Sequence, residues 1–214
     1  MPCATHSLRV TLAFAIAVTP LSARAETHRT TVPTAYARAM RTINPRLHEE
    51  QSQAYAAALL DNSLRMHLDP RLVMAVVTVE SGWNVNALSP DGAEGLGQFL
   101  PETARELGVH TWSGRSNLRG VTVYLHQLLG MFKSSRNAMR EAIASYNAGP
   151  YTIKANGGAV PRGETQRYVT RVLALWHAFK KRLSPRPTPI AVAEALTPQS
   201  VMHEESAYWG VQEK

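Results

Sequence analysis

Apolar residues recur along most of the chain at steps of three and four positions, the spacing of one face of an α-helix. Such stripes predict helices over residues 118–132, 139–146 and 168–179, and an alanine-rich helical pattern covers residues 49–68. No segment alternates apolar and polar residues as a half-buried strand would. The pattern therefore predicts a mainly α-helical fold.

Signals at helix ends define two further helices. Asp69 followed by Pro70 is typical of a helix start, because the acid caps free N–H groups and proline suits the first helical position. The helix they begin extends to about Glu80 and is apolar on more than one face, so we expect it to be buried. Pro101 and Gly108 bound a short helix by similar logic.

The first 25 residues have the features of a secretory signal peptide. Arg9 is the positive flank, residues 10–18 are apolar, and Ala23-Arg24-Ala25 resembles a cleavage site. The apolar run is shorter than the roughly 20 residues of a membrane-spanning helix. We therefore expect cleavage near Ala25 and an exported, periplasmic protein without stable membrane insertion. The alternative is an uncleaved N-terminal anchor.

The remaining chain divides into three parts by composition. Residues 26–46 are polar and interrupted by prolines, which indicates an N-terminal extension. Residues 47–183 carry the helical pattern and are expected to form the folded domain. Residues 184–214 contain prolines at 185, 187 and 189 and little periodicity, so we expect a disordered or docking tail.

Composition excludes several classes of protein. The chain has 23 Lys and Arg against 16 Asp and Glu, a formal net charge of +7. This excess favours polyanionic partners, but no basic run is interleaved with aromatic residues, so nucleic acid is not expected. The single cysteine, Cys3, lies in the leader, which leaves no disulfide in the mature chain. The histidines are scattered without ligand spacing, so we expect no metal and no cofactor.

Glu80 is the strongest candidate for chemistry. It lies at the end of the helix that we expect to be buried, and it precedes Ser81-Gly82. Burial and the negative end of the helix dipole both disfavour a charged carboxylate, so both raise its pKa. A raised pKa suits a general acid near neutral pH. The alternative is a glutamate that has left the buried face at the helix end.

Four segments in series then point to one family. They are residues 79–84 (VESGWN), residues 89–101 (SPDGAEGLGQFLP), residues 144–150 (ASYNAGP) and residues 164–169 (ETQRYV). In this order and spacing they resemble the soluble lytic transglycosylases, whose catalytic domain is related to goose-type lysozyme. The resemblance covers roughly residues 44–179. It implies a lysozyme-like helical domain with a substrate cleft, acting on peptidoglycan glycan strands.

The resemblance also implies the reaction and the role of the acid. Glu80 matches the family's catalytic glutamate. It would protonate the oxygen between N-acetylmuramic acid and N-acetylglucosamine, then act as base on the muramic C6 hydroxyl. The product would be a 1,6-anhydro sugar formed without water, so the enzyme would be a lyase.

Further residues match the family's substrate contacts. Ser89 matches a serine near the substrate's N-acetyl group, although it could instead cap the turn that follows. Gln98 matches a glutamine whose amide can donate to and accept from sugar groups. Leu100, where the family often has methionine, lies in the same segment. Gly97 also replaces a family methionine, and we expect that change to alter the shape or rigidity of the cleft.

Three late residues complete the implied substrate site. The hydroxyl of Tyr146 could touch the acid or the sugar, although this residue also lies on an apolar stripe. Asn147 is expected to shape the helix end through its tolerance of left-handed backbone geometry, with sugar contact as its less favoured role. Tyr168 could line the cleft or pack in the core. Neither Trp83 nor Trp112 is assigned a role.

Two other functions remain open. A hydrolytic goose-type lysozyme normally requires a second carboxylate, for which Asp91 and Glu94 are the candidates. A non-catalytic peptidoglycan-binding scaffold would keep the cleft and recruit an envelope-spanning assembly. The small size resembles transglycosylases that accompany secretion or conjugation systems, so such machinery is a candidate partner for the C-terminal tail.

Overall fold

The computed structural model describes residues 31–184, so the leader and the C-terminal tail expected from sequence lie outside the described residues. Within the segment 88–99, Leu88 pairs with Glu94 and Glu94 pairs with Phe99 as isolated antiparallel bridges, and the described part contains no strand. None of the described helices is long and apolar enough to cross a membrane. The helices are α1 (Thr31–Ile43), α2 (Glu49–Arg65), α3 (Pro70–Ser81), α4 (Pro101–Leu107), α5 (Gly114–Met131), α6 (Ala138–Ala148), α7 (Pro150–Ala155) and α8 (Glu164–Lys180).

Helix α3 forms the centre of the core and packs against α2, α5 and α8. Its residues 72–77 are all buried, which agrees with the apolar pattern on more than one of its faces. A helix that is surrounded by others must be apolar around most of its circumference. The catalytic candidate at its end is therefore carried by the most enclosed element of the fold.

The start of α3 is fixed as the sequence predicts. Asp69 accepts a hydrogen bond from the backbone N–H of Arg71 at 2.9 Å, and Pro70 occupies the first turn. The guanidinium of Arg71 also donates to both carboxylate oxygens of Asp69 at 2.8 Å. Trp176 of α8 donates to the same carboxylate at 3.0 Å. The cap therefore joins α3 to α8 as well as beginning the helix.

Helix α1 is the main difference from the sequence analysis, which takes residues 26–46 as a polar extension. Tyr36, Ala37 and Met40 are fully buried, and α1 packs against α2. The Tyr36 hydroxyl donates to the carbonyl oxygen of Ser184 at 2.9 Å, which links the two ends of the described chain. Val32, Tyr36, Met40 and Ile43 recur at steps of three and four, so the apolar stripe of α1 is present in the sequence although the segment is polar on average.

The other helices follow the predicted pattern with shifted ends. Helix α5 begins at Gly114, four residues before the first apolar residue of its stripe, because Ser113 provides its N-cap. The short helix α4 ends at Gly108, whose φ of 60° is left-handed as expected for a C-cap glycine. Helix α7 has no counterpart in the sequence analysis, because its six residues bury only Ile153 and leave no stripe.

Candidate active-site cleft

A cleft of about 440 Å³ opens where the end of α3 meets the 88–100 segment, the end of α6 and the start of α8. Six of the seven residues assigned from sequence line it, and the seventh, Tyr168, contacts Glu80 directly. The structure thus brings together residues that lie up to 88 positions apart in the chain. The six lining residues are Glu80, Ser89, Gln98, Leu100, Tyr146 and Asn147.

Glu80 lies in the last turn of α3, and Gly82 then turns the chain away with a left-handed φ of 55°. Burial raises the pKa of the Glu80 carboxyl group to about 7. A hydrogen bond from the Tyr168 hydroxyl and the positive charge of Arg171 act in the opposite direction, because both favour the ionised form. The carboxyl group therefore keeps its proton to a much higher pH than an ordinary glutamate does.

Tyr168 supplies the hydroxyl that meets the acid. It donates to Oε1 of Glu80 at 2.5 Å from one turn inside α8. Burial and the nearby charge of Glu80 raise the pKa of Tyr168 well above its ordinary value, so the phenol remains a donor at neutral pH. Of the roles left open by the sequence, lining the cleft or packing, neither described this direct contact.

Tyr146 makes a different bond from the one that the sequence suggested. Its hydroxyl donates to the carbonyl oxygen of Gly97 at 2.9 Å rather than to the acid. Its ring lies 5.3 Å from that of Tyr124 and 6.1 Å from that of Phe99, measured between centroids. Tyr146 therefore packs in an aromatic cluster, as its apolar stripe suggests, and it also lines the cleft.

Ser89 and Gln98 both brace the cleft wall. The Ser89 side-chain oxygen accepts from the backbone N–H of Ala93 at 2.9 Å, which is the turn-capping role left open above. The side-chain nitrogen of Gln98 donates to the carbonyl oxygens of Ala87 and Gly95, each at 3.1 Å. The amide of Gln98 thus gives its N–H groups to the protein, and its oxygen remains available to accept from a ligand.

Gly97 is enclosed by its neighbours, which explains why a methionine does not occupy this position. A Cβ atom built there would lie 2.5 Å from a ring carbon of Phe99 and 2.6 Å from a methyl group of Val121. The backbone N–H of Gly97 donates to the buried side chain of Asn117 at 3.0 Å. The phenylalanine ring therefore occupies the space that a side chain at 97 would enter.

The expected role of Asn147 at the helix end is wrong. Asn147 has no positive φ and remains inside α6, whereas Gly149 ends the helix with a φ of 81°. Glycine takes this conformation without the steric cost of a Cβ atom. Leu100 is 47% exposed and occupies the N-cap position of α4. Both residues face the cleft.

The carboxylates around the cleft differ from those considered in the sequence. Asp91 lines the cleft, but Glu94 accepts a hydrogen bond from Thr111 and is not part of the cleft wall. Glu164, in the first turn of α8, lines the cleft and was missed as a candidate second acid. Its signal was present, since it opens the last of the four family-like segments.

Two further aromatic residues, Tyr124 and Trp83, lie in different surroundings. Tyr124 lines the cleft and was not assigned a role, although it lies at helical spacing from Val121 and Leu128. Trp83 is fully buried and donates to the hydroxyl of Thr78 at 3.0 Å, so it belongs to the core. In the part of the chain that the structure describes, no group of three His, Cys, Asp or Glu residues could hold a metal ion.

Comparison with known proteins gives consistent sequence matches. A sequence model described as the transglycosylase SLT domain matches residues 57–169, more than half of the chain. The chain is 33% identical over 130 residues to a transglycosylase of Enterobacteria phage PRD1, covering 60% of this chain and 45% of the phage protein. It is 28% identical over 145 residues to the soluble lytic murein transglycosylase of Escherichia coli K12, covering 56% of this chain and 22% of that protein.

A third relative is the membrane-bound lytic murein transglycosylase F of Shewanella oneidensis, 31% identical over 119 residues. That match covers 54% of this chain and 23% of the relative. The chain therefore spans less than half the length of each of these three proteins.

Among solved structures, an inactive mutant of the lytic transglycosylase Slt from Pseudomonas aeruginosa matches with a TM-score of 0.51 at 24% identity. The match covers 70% of this chain and 29% of the Slt chain. At this identity the likeness supports the fold alone. Together with the eight helices of the described part, it confirms the expected mainly α, lysozyme-like fold.

Proposed function

Because the chain belongs to the transglycosylase SLT domain family, we propose that it is a peptidoglycan lytic transglycosylase with Glu80 as its catalytic carboxyl group. The observation that carries the proposal is the carboxyl group of Glu80, which lines the cleft, accepts a hydrogen bond from Tyr168 and has a pKa of about 7. Strongly shifted acids in clefts mark candidate catalytic sites.

The reaction has two steps, and Glu80 acts as the acid in the first and as the base in the second. In the first, protonated Glu80 donates to the oxygen that links C1 of N-acetylmuramic acid to O4 of N-acetylglucosamine. The C1–O4 bond breaks, and the N-acetylglucosamine end leaves with a free hydroxyl. In the second, the Glu80 carboxylate takes the proton of the muramic C6 hydroxyl while O6 bonds to C1. The product is 1,6-anhydro-N-acetylmuramic acid, Glu80 is protonated again, and no water is consumed.

A pKa of about 7 suits both steps. An acid with the ordinary glutamate pKa would be ionised in almost every molecule at neutral pH and could not begin the reaction. A much higher pKa would make the acid a poor proton donor. Tyr168 and Arg171 keep the pKa from rising further, since both stabilise the carboxylate that forms after the first proton transfer.

A hydrolytic lysozyme is the second candidate function, because the cleft wall contains two further carboxylates that could act as the second acid. Asp91 and Glu164 both line the cleft with Glu80. Either could activate a water molecule or act as nucleophile, which is the role of the second acid in glycoside hydrolases. The product would then carry a reducing end instead of an anhydro bond.

The deciding experiment is mass spectrometry of the soluble products that the purified protein releases from peptidoglycan. Wild-type protein should release anhydro-muropeptides, and Glu80→Gln should release none. Asp91→Asn and Glu164→Gln are the matched variants, and both should keep the anhydro product. Reducing-end products that depend on either residue would identify a hydrolase.

A non-catalytic scaffold is the third outcome of the same experiment. Folded wild-type protein that binds peptidoglycan and releases no product would establish it. The solved relative is an inactive mutant in which a glutamate is replaced by glutamine, so one carboxylate is essential in that protein. This precedent supports the choice of the Glu80→Gln exchange.

Location and partners are part of the same proposal. The composition of the first 25 residues supports export to the periplasm, and N-terminal sequencing of the mature protein should begin near Glu26. We also propose that residues 184–214 engage a secretion or conjugation assembly. Deleting residues 185–214 should then leave peptidoglycan cleavage intact and abolish co-purification with envelope components.

A further inference from the structure

A second concave surface, here called the linker groove, lies beside the C-terminal end of α3 at Gly82. It encloses about 660 Å³ between the α1–α2 linker, residues 43–48, and the loop of residues 82–86, with Gln51 at one side. The linker groove and the cleft share no lining residue, and the proposed reaction does not involve the groove. It is larger than the cleft itself.

The two walls of the linker groove are fastened to each other. The side-chain nitrogen of Asn44 donates to the carbonyl oxygen of Trp83 at 3.1 Å, which joins the linker to the loop. The Asn44 side-chain oxygen accepts from the backbone N–H of Arg46 at 3.1 Å, and the Asn84 oxygen accepts from the N–H of Asn86 at 3.1 Å. A groove whose walls are already joined loses little entropy when it binds a ligand.

The polar groups that remain available point to an anionic, amide-containing ligand. Arg46, His48, Asn84 and Asn86 line the groove, and no carboxylate is among its described lining residues. The guanidinium of Arg46 makes no ion pair within residues 31–184, in contrast to Arg41, Arg65 and Arg71. Arginine binds carboxylates well, and side-chain amides both donate to and accept from peptide groups.

Apolar side chains provide the rest of the surface. Ile43, Leu47 and Val85 line the groove together with Pro45. Such side chains can accommodate small aliphatic residues, which contribute apolar contact without a polar partner. The combination suits a short peptide in which alanine-like residues alternate with residues that carry carboxylates.

Position connects the groove to the cleft. Gly82 lines the linker groove, and Glu80, two residues earlier, lines the cleft. Two residues of chain span at most about 7.6 Å between Cα atoms, whereas four extended residues span about 13 Å. A four-residue peptide attached to a sugar beside Glu80 is therefore longer than the distance between the Cα atoms of Glu80 and Gly82.

We propose that the linker groove binds the peptide stem of the muramic acid residue held at Glu80, with Arg46 pairing with a stem carboxylate. The inference rests on the proposed function, because it requires peptidoglycan in the cleft. In this arrangement the cleft holds the sugars and the linker groove holds the stem peptide. Stem-bearing glycan should then be a better substrate than the same glycan without stems.

The first test compares two substrates. Arg46→Glu should slow the release of anhydro products from stem-bearing peptidoglycan by roughly tenfold to a hundredfold, the range for losing a hydrogen bond to a charged group. It should change the rate on glycan strands stripped of stems by an amidase less than twofold. Arg38→Glu, which makes the same charge change on the exposed side of α1, should leave both rates unaltered. Equal slowing on both substrates, or on neither, would overturn the inference.

The second test does not require catalysis. Titration of the full-length protein with a soluble muramyl tetrapeptide should shift NMR resonances of residues 44–48 and 84–86, and Arg46→Glu should abolish those shifts. Absence of shifts there in the wild type would overturn the inference whatever the activity. Shifts without any product from peptidoglycan would uphold the groove as a peptide site and reject the proposed function.

Discussion

At the scale of single residues, the environment of Glu80 is determined by three opposing influences. Burial at the end of α3 raises its pKa, while the Tyr168 hydroxyl and the Arg171 charge lower it. The result of about 7 is a balance that any change to one partner should shift. Arg171 was not identified from the sequence, although it follows Tyr168 by three positions and so lies on the same face of α8.

The first prediction concerns stability against pH. The folded-state pKa of Glu80, about 7, lies above the ordinary glutamate value. The ionised carboxylate therefore destabilises the folded protein above pH 7, and the cost vanishes below about pH 4.3. Glu80→Gln should raise the free energy of unfolding by roughly 1–3 kcal/mol at pH 8 and by much less at pH 4. Urea denaturation at the two pH values measures this, and an equal difference at both would contradict it.

The second prediction concerns the pH profile of activity. Tyr168→Phe removes a donor that favours the carboxylate, so the pKa of Glu80 should rise further. The decline of kcat/KM on the alkaline side should then move upward by about 0.5–1 pH unit. Tyr151→Phe is the control, since Tyr151 is 85% exposed and makes no contact with the acid. A decline that stays in place, or moves to lower pH, would count against the role given to Tyr168.

At the scale of elements, the end caps of α3 determine where the end that carries Glu80 lies. Asp69 fixes the first turn, and the same carboxylate accepts from Trp176 on α8, the helix that carries Tyr168. The bond between Asp69 and Trp176 fixes the position of α8 along α3. It therefore helps to keep Tyr168 beside Glu80 at the other end of α3. Gly82 then ends α3 and allows the chain to turn into the cleft wall.

The third prediction tests that cap. Asp69→Ala should lower the free energy of unfolding by about 2–4 kcal/mol, because it removes the N-cap and leaves Arg71 and Trp176 without their acceptor. Asp61→Ala is the matched control, since its partner Arg65 is 70% exposed and their surface ion pair contributes little. Thermal unfolding of the two variants makes the comparison. Similar losses of unfolding free energy in both variants would show that the Asp69 cap stabilises the protein no more than a surface ion pair does.

At the scale of the whole molecule, the chain forms one core that includes residues on both sides of the family match. The matched segment is 57–169, yet Tyr36 and Met40 before it and Val172 after it are fully buried. The bond between Tyr36 and Ser184 joins the two flanks to each other. The flanks therefore enclose the core near the start of α3, where Arg71 also donates to the carbonyl oxygen of Leu183.

The fourth prediction follows from that enclosure. Met40→Ala should destabilise the protein by about 2–4 kcal/mol, because it leaves a cavity beneath α1. Met131→Ala, the same exchange at a side chain that is 44% exposed, should change stability by less than about 0.5 kcal/mol. Chemical denaturation of both variants gives the measurement. A small effect at Met40 would mean that α1 is dispensable to the fold.

The sequence by itself determined the helical class, the start of α3 at Asp69 and Pro70, the bounds of α4 and, through the family-like motifs, six of the residues that line the cleft. These features depend on periodicity, on capping chemistry over a few residues and on motifs read in order. The sequence also indicated that Glu80 ends a buried helix, from which the direction of its pKa shift follows.

Only the tertiary structure decided which groups meet. Tyr168 rather than Tyr146 donates to Glu80, Gln98 gives its amide N–H groups to its own loop, and Glu164 rather than Glu94 faces the cleft. Each of these contacts depends on the angle at which distant elements pack, which no local pattern records. Helix α1 is a different case, because its apolar stripe is present in the sequence, and the tertiary structure adds only the helix α2 against which that stripe packs.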